Sequence, residues 1–297
     1  MKVNLPIGIF DSGIGGLTVY EKLRQRMPKE DIIYFGDTGR APYGARPEAE
    51  IRLFVDGIMR LMSLFGIKLG VVACNTITVL GTEKMSERYN FDLVGNSSGT
   101  LAALSASRTK RIGVLATENT IANGMHKREI LRHNPEAKVF CQACPSLAPL
   151  VEAGDLSGIR LRHDLRRYLL PLRKAKVDTV ILGCTHYPYL TPLIQEMLGA
   201  EVTLIDPADE TASRVEAYLQ QNKLVNEDGH GESSFYFSAK AEQAKIIAQQ
   251  LFDARMATFA QIELAELESF CRQPVLRKVL AQHFDATQSR ELLQQVE

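Results

Sequence analysis

Two cysteines follow strand-like runs at matching places in this 297-residue chain. Cys74 comes directly after an apolar run and is followed by Asn75-Thr76, and Cys184 comes after a similar run and is followed by Thr185-His186. A short β-branched run bounded by polar and turn residues is typical of a buried parallel strand. Ligands bind at the carboxyl ends of such strands. We therefore predict that the two thiols face each other across a cleft as a pair of acid/base groups.

The residues beside the two cysteines suit the removal of a proton from carbon. A thiol has an ordinary pKa of about 8.5, which a helix N-terminus or a nearby cation lowers toward neutrality. Asn75, Thr76, Thr185 and His186 can donate hydrogen bonds to a substrate carboxylate and to the negative charge that develops when an α-proton leaves. A single buried cysteine is most often an inert packing residue. Two of them with matching polar neighbours favour chemistry.

Two loops nearby can hold carboxylates. The segment 11–16 (DSGIGG) follows a strand and opens a helix, but Thr18 stands where the dinucleotide-binding fingerprint needs its last glycine. Its amides still suit an anion, and Asp11 can accept from an ammonium group or orient a thiol. The alternative for this loop is a simple helix cap. Pro42-Tyr43-Gly44 follows the next strand and can hold a second carboxylate, although such turns are ordinary in loops.

The pair Cys141 and Cys144 has the spacing of a redox or zinc motif. The chain has no second pair of this spacing, and His126 and His133 do not lie in a ligand pattern. We predict that both cysteines are structural and that the protein has no metal site.

The composition limits the function classes. Lys plus Arg and Asp plus Glu both number 35, so no net charge is available to gather nucleic acid or a membrane surface. No apolar run of membrane-spanning or signal-peptide length occurs. Five cysteines are too few for a disulfide scaffold, which favours a cytoplasmic location.

Strand-like and helical runs alternate along the chain, which predicts an α/β fold with parallel sheets and helices on both faces. Strands are expected over 7–10, 32–35 and 69–73, with helices over 17–27 and 48–65. The run 111–116 echoes 7–11, and Cys184 follows the second run at nearly the separation at which Cys74 follows the first. We therefore predict two similar domains related by a pseudo-two-fold duplication, with the active site in the cleft between them.

The chain exceeds the usual length of one domain. Because Asp206-Pro207 suits a crossover, we predict a discontinuous first domain of residues 1–97 and 208–253 and a second domain of 98–207. Residues 254–297 are expected to form extra C-terminal helices, with one apolar stripe at Leu264, Leu267 and Phe270 and another over 275–284. This extension either caps the chain's own body, the interpretation that we favour, or forms a dimer contact or a regulatory element.

Several segments between residues 7 and about 250 together resemble the glutamate racemase family, within the wider aspartate/glutamate racemase superfamily. They are Phe10-Asp11-Ser12-Gly13-Ile14-Gly15-Gly16-Leu17, Phe35-Gly36-Asp37-Thr38, Pro42-Tyr43-Gly44, Cys74-Asn75-Thr76, Ala143-Cys144-Pro145, Leu150-Val151-Glu152, Leu182-Gly183-Cys184-Thr185-His186-Tyr187-Pro188, and Asp206 with Glu210-Thr211-Ala212. The resemblance implies two α/β domains with the substrate between them and no cofactor.

The resemblance also implies a mechanism and a set of site residues. Cys184 would deprotonate L-glutamate and Cys74 would act on D-glutamate, with Asp11, Glu152 and His186 assisting the thiols. Substrate-binding roles carry over to Asp11, Ser12, Pro42, Tyr43, Gly44, Asn75, Thr76, Thr117, Thr185 and His186. The implied product is D-glutamate for peptidoglycan and hence for cell shape. The implied protein is a cytoplasmic homodimer that binds neither nucleic acid nor membrane.

The chain departs from the family pattern at three places. Gly95-Asn96-Ser97-Ser98-Gly99 replaces a Glu-Pro-Gly segment near the expected cleft, Pro207 replaces a serine, and the tail beyond about 254 has no counterpart. Because the first departure bears on substrate choice, a racemase of aspartate or another amino acid is one alternative. The other is a non-catalytic binding or regulatory protein that keeps the fold.

Overall fold

The computed structural model describes residues 2–81, 86–252 and 257–265. Among these residues, six parallel strands form a first sheet in the order β10-β9-β2-β1-β3-β4. Their bounds are β1 (Ile7–Asp11), β2 (Ile32–Gly36), β3 (Leu69–Val72), β4 (Asp92–Gly95), β9 (Ser233–Phe237) and β10 (Thr258–Gln261). The second sheet has four described strands, also parallel, in the order β6-β5-β7-β8. These are β5 (Arg111–Ala116), β6 (Lys138–Ala143), β7 (Thr179–Gly183) and β8 (Thr203–Ile205).

Helices connect the strands along the chain, as parallel pairing requires. The described helices are α1 (Leu17–Arg26), α2 (Glu48–Leu64), α3 (Asn75–Thr78), α4 (Thr100–Ala106), α5 (Glu118–Asn123), α6 (Met125–His133), α7 (Leu147–Glu152), α8 (Ile159–Lys174), α9 (Thr191–Leu198), α10 (Pro207–Gln221) and α11 (Ala241–Leu251). Short 3₁₀ turns lie at Lys2–Asn4 and Tyr187–Leu190. The predicted α/β class with two parallel-sheet units is confirmed. No helix in the described ranges is both long and apolar enough to cross a membrane.

The central strands are buried on both faces. All five residues of β1 and of β7 are buried, as expected for strands that carry helices on each side. In the first sheet Phe10 of β1 lies opposite Val72 of β3, so Asp11 and Cys74 emerge at the same edge. In the second sheet Ala116 of β5 lies opposite Gly183 of β7, which brings Thr117 beside Cys184. The sheet register therefore places the predicted site residues at the carboxyl edges.

Sheet membership supports the division into units. Residues up to β4 and from β9 onward supply the first sheet, whereas β5 to β8 supply the second. Helix α10, which follows the second sheet, packs on α1 of the first unit. On this basis we propose two domains, 1–97 with 208–253, to which β10 adds a further strand, and 98–207.

One part of the expected C-terminal extension is different. We predicted helix throughout 254–297, but Thr258–Gln261 forms β10, which extends the first sheet beyond residue 253. The reason is aromatic packing, because Phe259 stacks on Phe235 of β9 with ring centroids 4.7 Å apart. Leu264 packs at the edge of the core of the first unit. The rest of the predicted stripes, including Leu267, Phe270 and 275–284, lies outside the described residues.

A buried ion pair lies at the amino-terminal ends of the strands of the first sheet, opposite the end at which the cysteines lie. Lys68 precedes β3, and its ammonium lies 2.5 Å from a carboxylate oxygen of Glu30, which precedes β2. The ammonium also donates to the carbonyl oxygens of Val3 (2.8 Å) and Leu224 (2.9 Å), while Glu30 accepts from the amide of Asn226 (2.8 Å). Both charged side chains are almost fully buried. The pair thus ties the N-terminal segment and the loop before β9 to the sheet.

Candidate active site

The carboxyl ends of the strands in the two sheets meet around one small cavity. Both cysteines line it, together with nearly every residue that we predicted to bind substrate. The lining residues are Ser12, Pro42, Tyr43, Gly44, Cys74, Asn75, Thr76, Thr117, Ala148, Cys184, Thr185 and His186. Two predicted residues, Asp11 and Glu152, lie behind this lining and contact it through hydrogen bonds.

The cavity is small and largely enclosed. Its volume is about 10 Å³, which is room for about one water molecule. Cys74 and Cys184 are 5% and 6% exposed. A largely enclosed cavity strengthens the electrostatic interactions inside it, because it has little room for water that would screen the charges.

The surroundings of Cys74 favour the protonated thiol. Its Sγ donates to Oγ of Ser12 at 3.6 Å. Burial and the nearby carboxylate of Asp11 raise the pKa of Cys74 to about 12, against the opposing effect of the Ile77 amide and the Ser12 hydroxyl. Cys74 is therefore placed to give a proton.

The surroundings of Cys184 differ, because a histidine lies beside its sulfur. Nδ1 of His186 is 3.6 Å from Sγ of Cys184, and Nε2 of His186 is 2.6 Å from Oε1 of Glu152. Burial alone lowers the pKa of His186, but the hydrogen bonds with Cys184 and Glu152 outweigh it, and the pKa lies well above its ordinary value. A neighbouring imidazolium stabilises a thiolate. Cys184 is therefore placed to accept a proton.

Glu152 also joins the two units. Besides the contact with His186, its Oε1 accepts from the amide of Ile14, in the loop after β1, at 2.8 Å. Gly13 makes room for this carboxylate, because a Cβ there would lie 1.8 Å from Oε1. The close approach explains why a glycine stands at this position of the loop.

Asp11 lies between the two cysteine environments. It is fully buried and accepts from the amide of Gly13 at 2.9 Å and from the hydroxyl of Thr185 at 3.1 Å. Burial raises its pKa to about 6, although His186 and these hydrogen bonds act in the opposite direction. Because it contacts Ser12 on one side and Thr185 on the other, Asp11 can respond to the proton on either thiol.

Polar groups of the lining stand ready for a ligand. The amide nitrogen and oxygen of Asn75 are buried, and neither has a partner among the described residues. The hydroxyl of Thr117 bridges those of Thr76 and Thr120, at 3.0 Å from each. A buried amide without a partner is costly, so a ligand that satisfies it gains affinity.

Two supporting residues were not singled out by the sequence. Asp37, which follows β2 and is fully buried, accepts from the hydroxyl of Tyr43, from Nε of Arg40 at 2.7 Å and from Oγ of Ser238 at 2.7 Å. Asn119 bonds the 43–46 loop from the opposite unit. The position of Asp37 directly after a buried strand was a usable signal, whereas nothing local to Asn119 marked it.

The loop that departs from the family pattern lies elsewhere. Asn96 and Ser97 are buried, and both bond to the hydroxyl of Thr211 on α10. None of the residues 95–99 lines the cavity between the cysteines. The departure therefore does not reach the groups around the two thiols.

The second cysteine pair lies outside the cavity lining. Cys141 is exposed and Cys144 buried, and both are free thiols. Burial lowers the pKa of His126 to about 4, and its ring nitrogens have no partner within the described part of the chain. No group of three or more side chains suited to a metal ion lies together in the described residues.

Comparisons with known proteins agree with this geometry. Residues 7–215 match the family model described as Asp/Glu/Hydantoin racemase. The chain is 41% identical to the glutamate racemase of Herpetosiphon aurantiacus over 221 residues, which cover 74% of this chain and 87% of that protein. The glutamate racemase isoform RacE1 of Bacillus anthracis superposes with a TM-score of 0.77 at 32% identity, covering 87% of this chain and 97% of the other.

A second solved structure is equally similar in fold. Glutamate racemase from Francisella tularensis, in complex with D-glutamate, gives a TM-score of 0.77 at 30% identity and covers 88% of this chain and 98% of the other. The family model spans well over half of the chain. The predicted family is thus confirmed, and the chain belongs to the Asp/Glu/hydantoin racemases.

Proposed function

We propose that this racemase interconverts L-glutamate and D-glutamate by moving the α-proton between Cys184 and Cys74. The supporting observation is that both cysteines line one cavity while their surroundings hold protons differently. Cys74 lies in a setting that keeps a thiol protonated, and Cys184 lies beside an imidazolium. The names of the relatives, which are glutamate racemases, support glutamate as the substrate.

In the L-to-D direction, the Cys184 thiolate takes the α-proton and becomes a thiol. The electron pair of the broken C–H bond remains on the α-carbon, and the thiol of Cys74 gives its proton to the opposite face and becomes a thiolate. The D-to-L direction reverses these transfers and restores the starting protonation. His186, held by Glu152, and Asp11, between the two sides, stabilise the two protonation states in turn.

The carbanion needs stabilisation from the chain itself. We propose that no cofactor takes part, and that preorganised donors such as the Asn75 amide and the Thr76, Thr117 and Thr185 hydroxyls hold the substrate carboxylates. Donors fixed before the reaction stabilise developing charge without reorganising. The small, largely enclosed cavity supports this proposal, because it has little room for water and such contacts are stronger where water is excluded.

The biological setting is also a proposal. D-glutamate made by this reaction would supply peptidoglycan synthesis and thereby cell shape, in a bacterial cytoplasm and by a homodimer. The four cysteines of the described chain are free thiols, which supports a reducing compartment.

A substrate panel tests the proposal. The decay of optical rotation is followed for L-glutamate, D-glutamate, L-aspartate and a few neutral amino acids with the intact protein. We expect decay with both glutamate enantiomers at a higher kcat/KM than with any other compound. Faster decay of aspartate would favour an aspartate racemase, and no decay with any amino acid would favour a binding protein.

A further inference from the structure

The loop that carries two cavity-lining residues is held by the opposite unit. Tyr43 and Gly44 follow the first sheet, and Asn119 lies in α5, which follows β5 of the second sheet. The side-chain amide of Asn119 donates to the carbonyl oxygens of Arg46 at 2.9 Å and of Tyr43 at 3.3 Å. Its backbone amide donates to the carbonyl oxygen of Gly44 at 3.0 Å. One residue therefore contacts three carbonyl groups across the junction.

The same junction forms one wall of the cavity. A Cβ at Gly44 would lie 2.7 Å from Cβ and Cγ2 of Thr117, so the loop and the start of α5 are in direct contact. Gly44 and Thr117 both line the cavity, whereas Ala45 and Glu118, the residues that follow them, are exposed to solvent. The junction thus lies between the cavity and residues that are exposed to solvent.

The cavity as it stands is far too small for an amino acid. A space of about 10 Å³ holds about one water, and glutamate is many times larger. The cavity lining must therefore widen for a substrate to enter, and the junction between the 43–46 loop and α5 is one place where the two units meet at that lining. Neutral hydrogen bonds to main-chain carbonyls suit such a contact, because each contributes modestly and reforms readily.

We infer that Asn119 is a positioning residue that fastens the 43–46 loop to α5 and sets how often the cavity opens. Its side-chain amide holds the loop closed over the substrate, and its release opens the wall between Gly44 and Thr117. The inference rests on the proposed function only in taking this cavity as the substrate site.

Thiol labelling measures the opening without any racemase assay. The intact protein is treated with iodoacetamide, and alkylation of each cysteine is followed by mass spectrometry. Exposed Cys141 is the internal reference for reagent activity, and buried Cys144, outside the cavity lining, reports unfolding. The variants are Asn119→Ala, which removes the two side-chain bonds, and Asn119→Asp, which places a carboxylate against two carbonyl oxygens.

Asn222→Ala is the matched control, because that side chain also donates to a carbonyl oxygen, of Tyr218, but within its own helix end. In Asn119→Ala we expect iodoacetamide to alkylate Cys74 and Cys184 about tenfold faster, relative to Cys141, than in the unmodified chain. The reason is that each lost hydrogen bond contributes several-fold to the equilibrium between the closed and the open junction. In Asn119→Asp the two cavity cysteines should be alkylated at least as fast as in Asn119→Ala. In Asn222→Ala they should be alkylated at the rate found for the unmodified chain. In the racemisation assay, Asn119→Ala should raise KM for glutamate more than it lowers kcat.

Two results would overturn the inference. Labelling of Cys74 and Cys184 in both Asn119 variants at the rate of the control would show that Asn119 does not govern opening. A parallel rise at Cys144 would show that the variants unfold rather than open. Neither result depends on whether glutamate is racemised, so a failure here is distinct from a failure of the proposed function.

Discussion

The two cysteines have the same residue type and similar positions in their sheets, but different partners. Cys74 donates to a serine hydroxyl near a buried carboxylate, and Cys184 lies beside a histidine that a glutamate holds. A two-base reaction needs one thiolate and one thiol at the start of each turnover. In the proposed mechanism, the difference in partners supplies that asymmetry at the level of single side chains.

The first prediction concerns the cysteines themselves. Cys74→Ala and Cys184→Ala should each lower kcat for glutamate racemisation by roughly a hundredfold or more, because each removes one of the two proton-transfer groups. Cys141→Ala should leave kcat unchanged, since this thiol lies outside the cavity. The measurement is polarimetry with both enantiomers, and near-normal turnover in either cavity variant would refute the two-base scheme.

The second prediction concerns the cost of burying Asp11. Its folded-state pKa of about 6 lies above the ordinary value of 3.8, so its ionised form destabilises the fold. The stability associated with the proton on Asp11 is fully present below about pH 4 and is lost as the pH rises through 6. Asp11→Asn should therefore raise the free energy of unfolding at pH 8 by roughly 2 kcal/mol, while lowering racemisation.

Urea unfolding at pH 8 and pH 4 measures this effect. The gain in Asp11→Asn should be much smaller at pH 4, because the folded-state carboxyl is then protonated and the unfolded-state carboxyl, with its ordinary pKa of 3.8, is about half protonated. A gain that is independent of pH would mean that something other than the ionised carboxylate is responsible.

At the scale of elements, the residues of the candidate site lie in loops at the carboxyl ends of the strands. Close contacts with the backbone position these loops. The loop after β1 reaches α7 through Glu152, and the loop after β2 reaches α5 through Asn119. The far edge of the first sheet is held separately by Lys68 and Glu30. Changes at the two edges should therefore have different consequences, one for activity and one for stability.

The third prediction tests the close contact at Gly13. Gly13→Ala should lower kcat about tenfold or more, because the new Cβ displaces the Glu152 carboxylate from His186. If the effect acts through Glu152, adding Gly13→Ala to the Glu152→Ala variant should lower kcat little further. A double-mutant cycle measures this. Fully additive losses would show that the glycine acts in another way.

The fourth prediction tests the buried ion pair. Lys68→Met should lower the free energy of unfolding by about 3 to 5 kcal/mol, because the Glu30 carboxylate is then buried without its partner. Breaking the exposed pair of Arg162 with Glu196 by Arg162→Met should cost less than about 1 kcal/mol. Urea titrations of both variants give the comparison, and equal costs would contradict the assignment of the Lys68 pair as a fastening of the fold.

At the scale of the whole molecule, local sequence patterns were enough to predict most of the fold. The predicted helix over 48–65 is observed at Glu48–Leu64, and the run before Cys74 is a strand at Leu69–Val72. Both elements have strong local signals in the sequence. The helix has the periodicity of an amphipathic helix, and the strand has a continuous apolar run that contains β-branched residues. Strand β10 was missed because its stability comes from pairing with β9 and from ring stacking, neither of which is visible in four residues.

The site was predictable for the same reason and within the same limits. Cys74 and Cys184 follow buried strands, so their position at the sheet edges could be read directly from the sequence. Asn119 could not be assigned a role in this way, because it bonds residues 73 and 76 positions away. Asp37 does follow a buried strand, but its bond to Ser238, 201 positions away, could not be predicted from the sequence. Contacts over such separations become visible only in the folded chain.

Isotope exchange tests the two-cysteine reaction most directly. L-glutamate is converted in ²H₂O, and the α-position of both enantiomers is analysed during the first few per cent of reaction. If Cys184 removes the proton and Cys74 delivers one from the opposite side, the new D-glutamate carries deuterium while the remaining L-glutamate keeps its hydrogen. D-glutamate that retains the original hydrogen would contradict the account, because one group would then have moved the same proton across both faces.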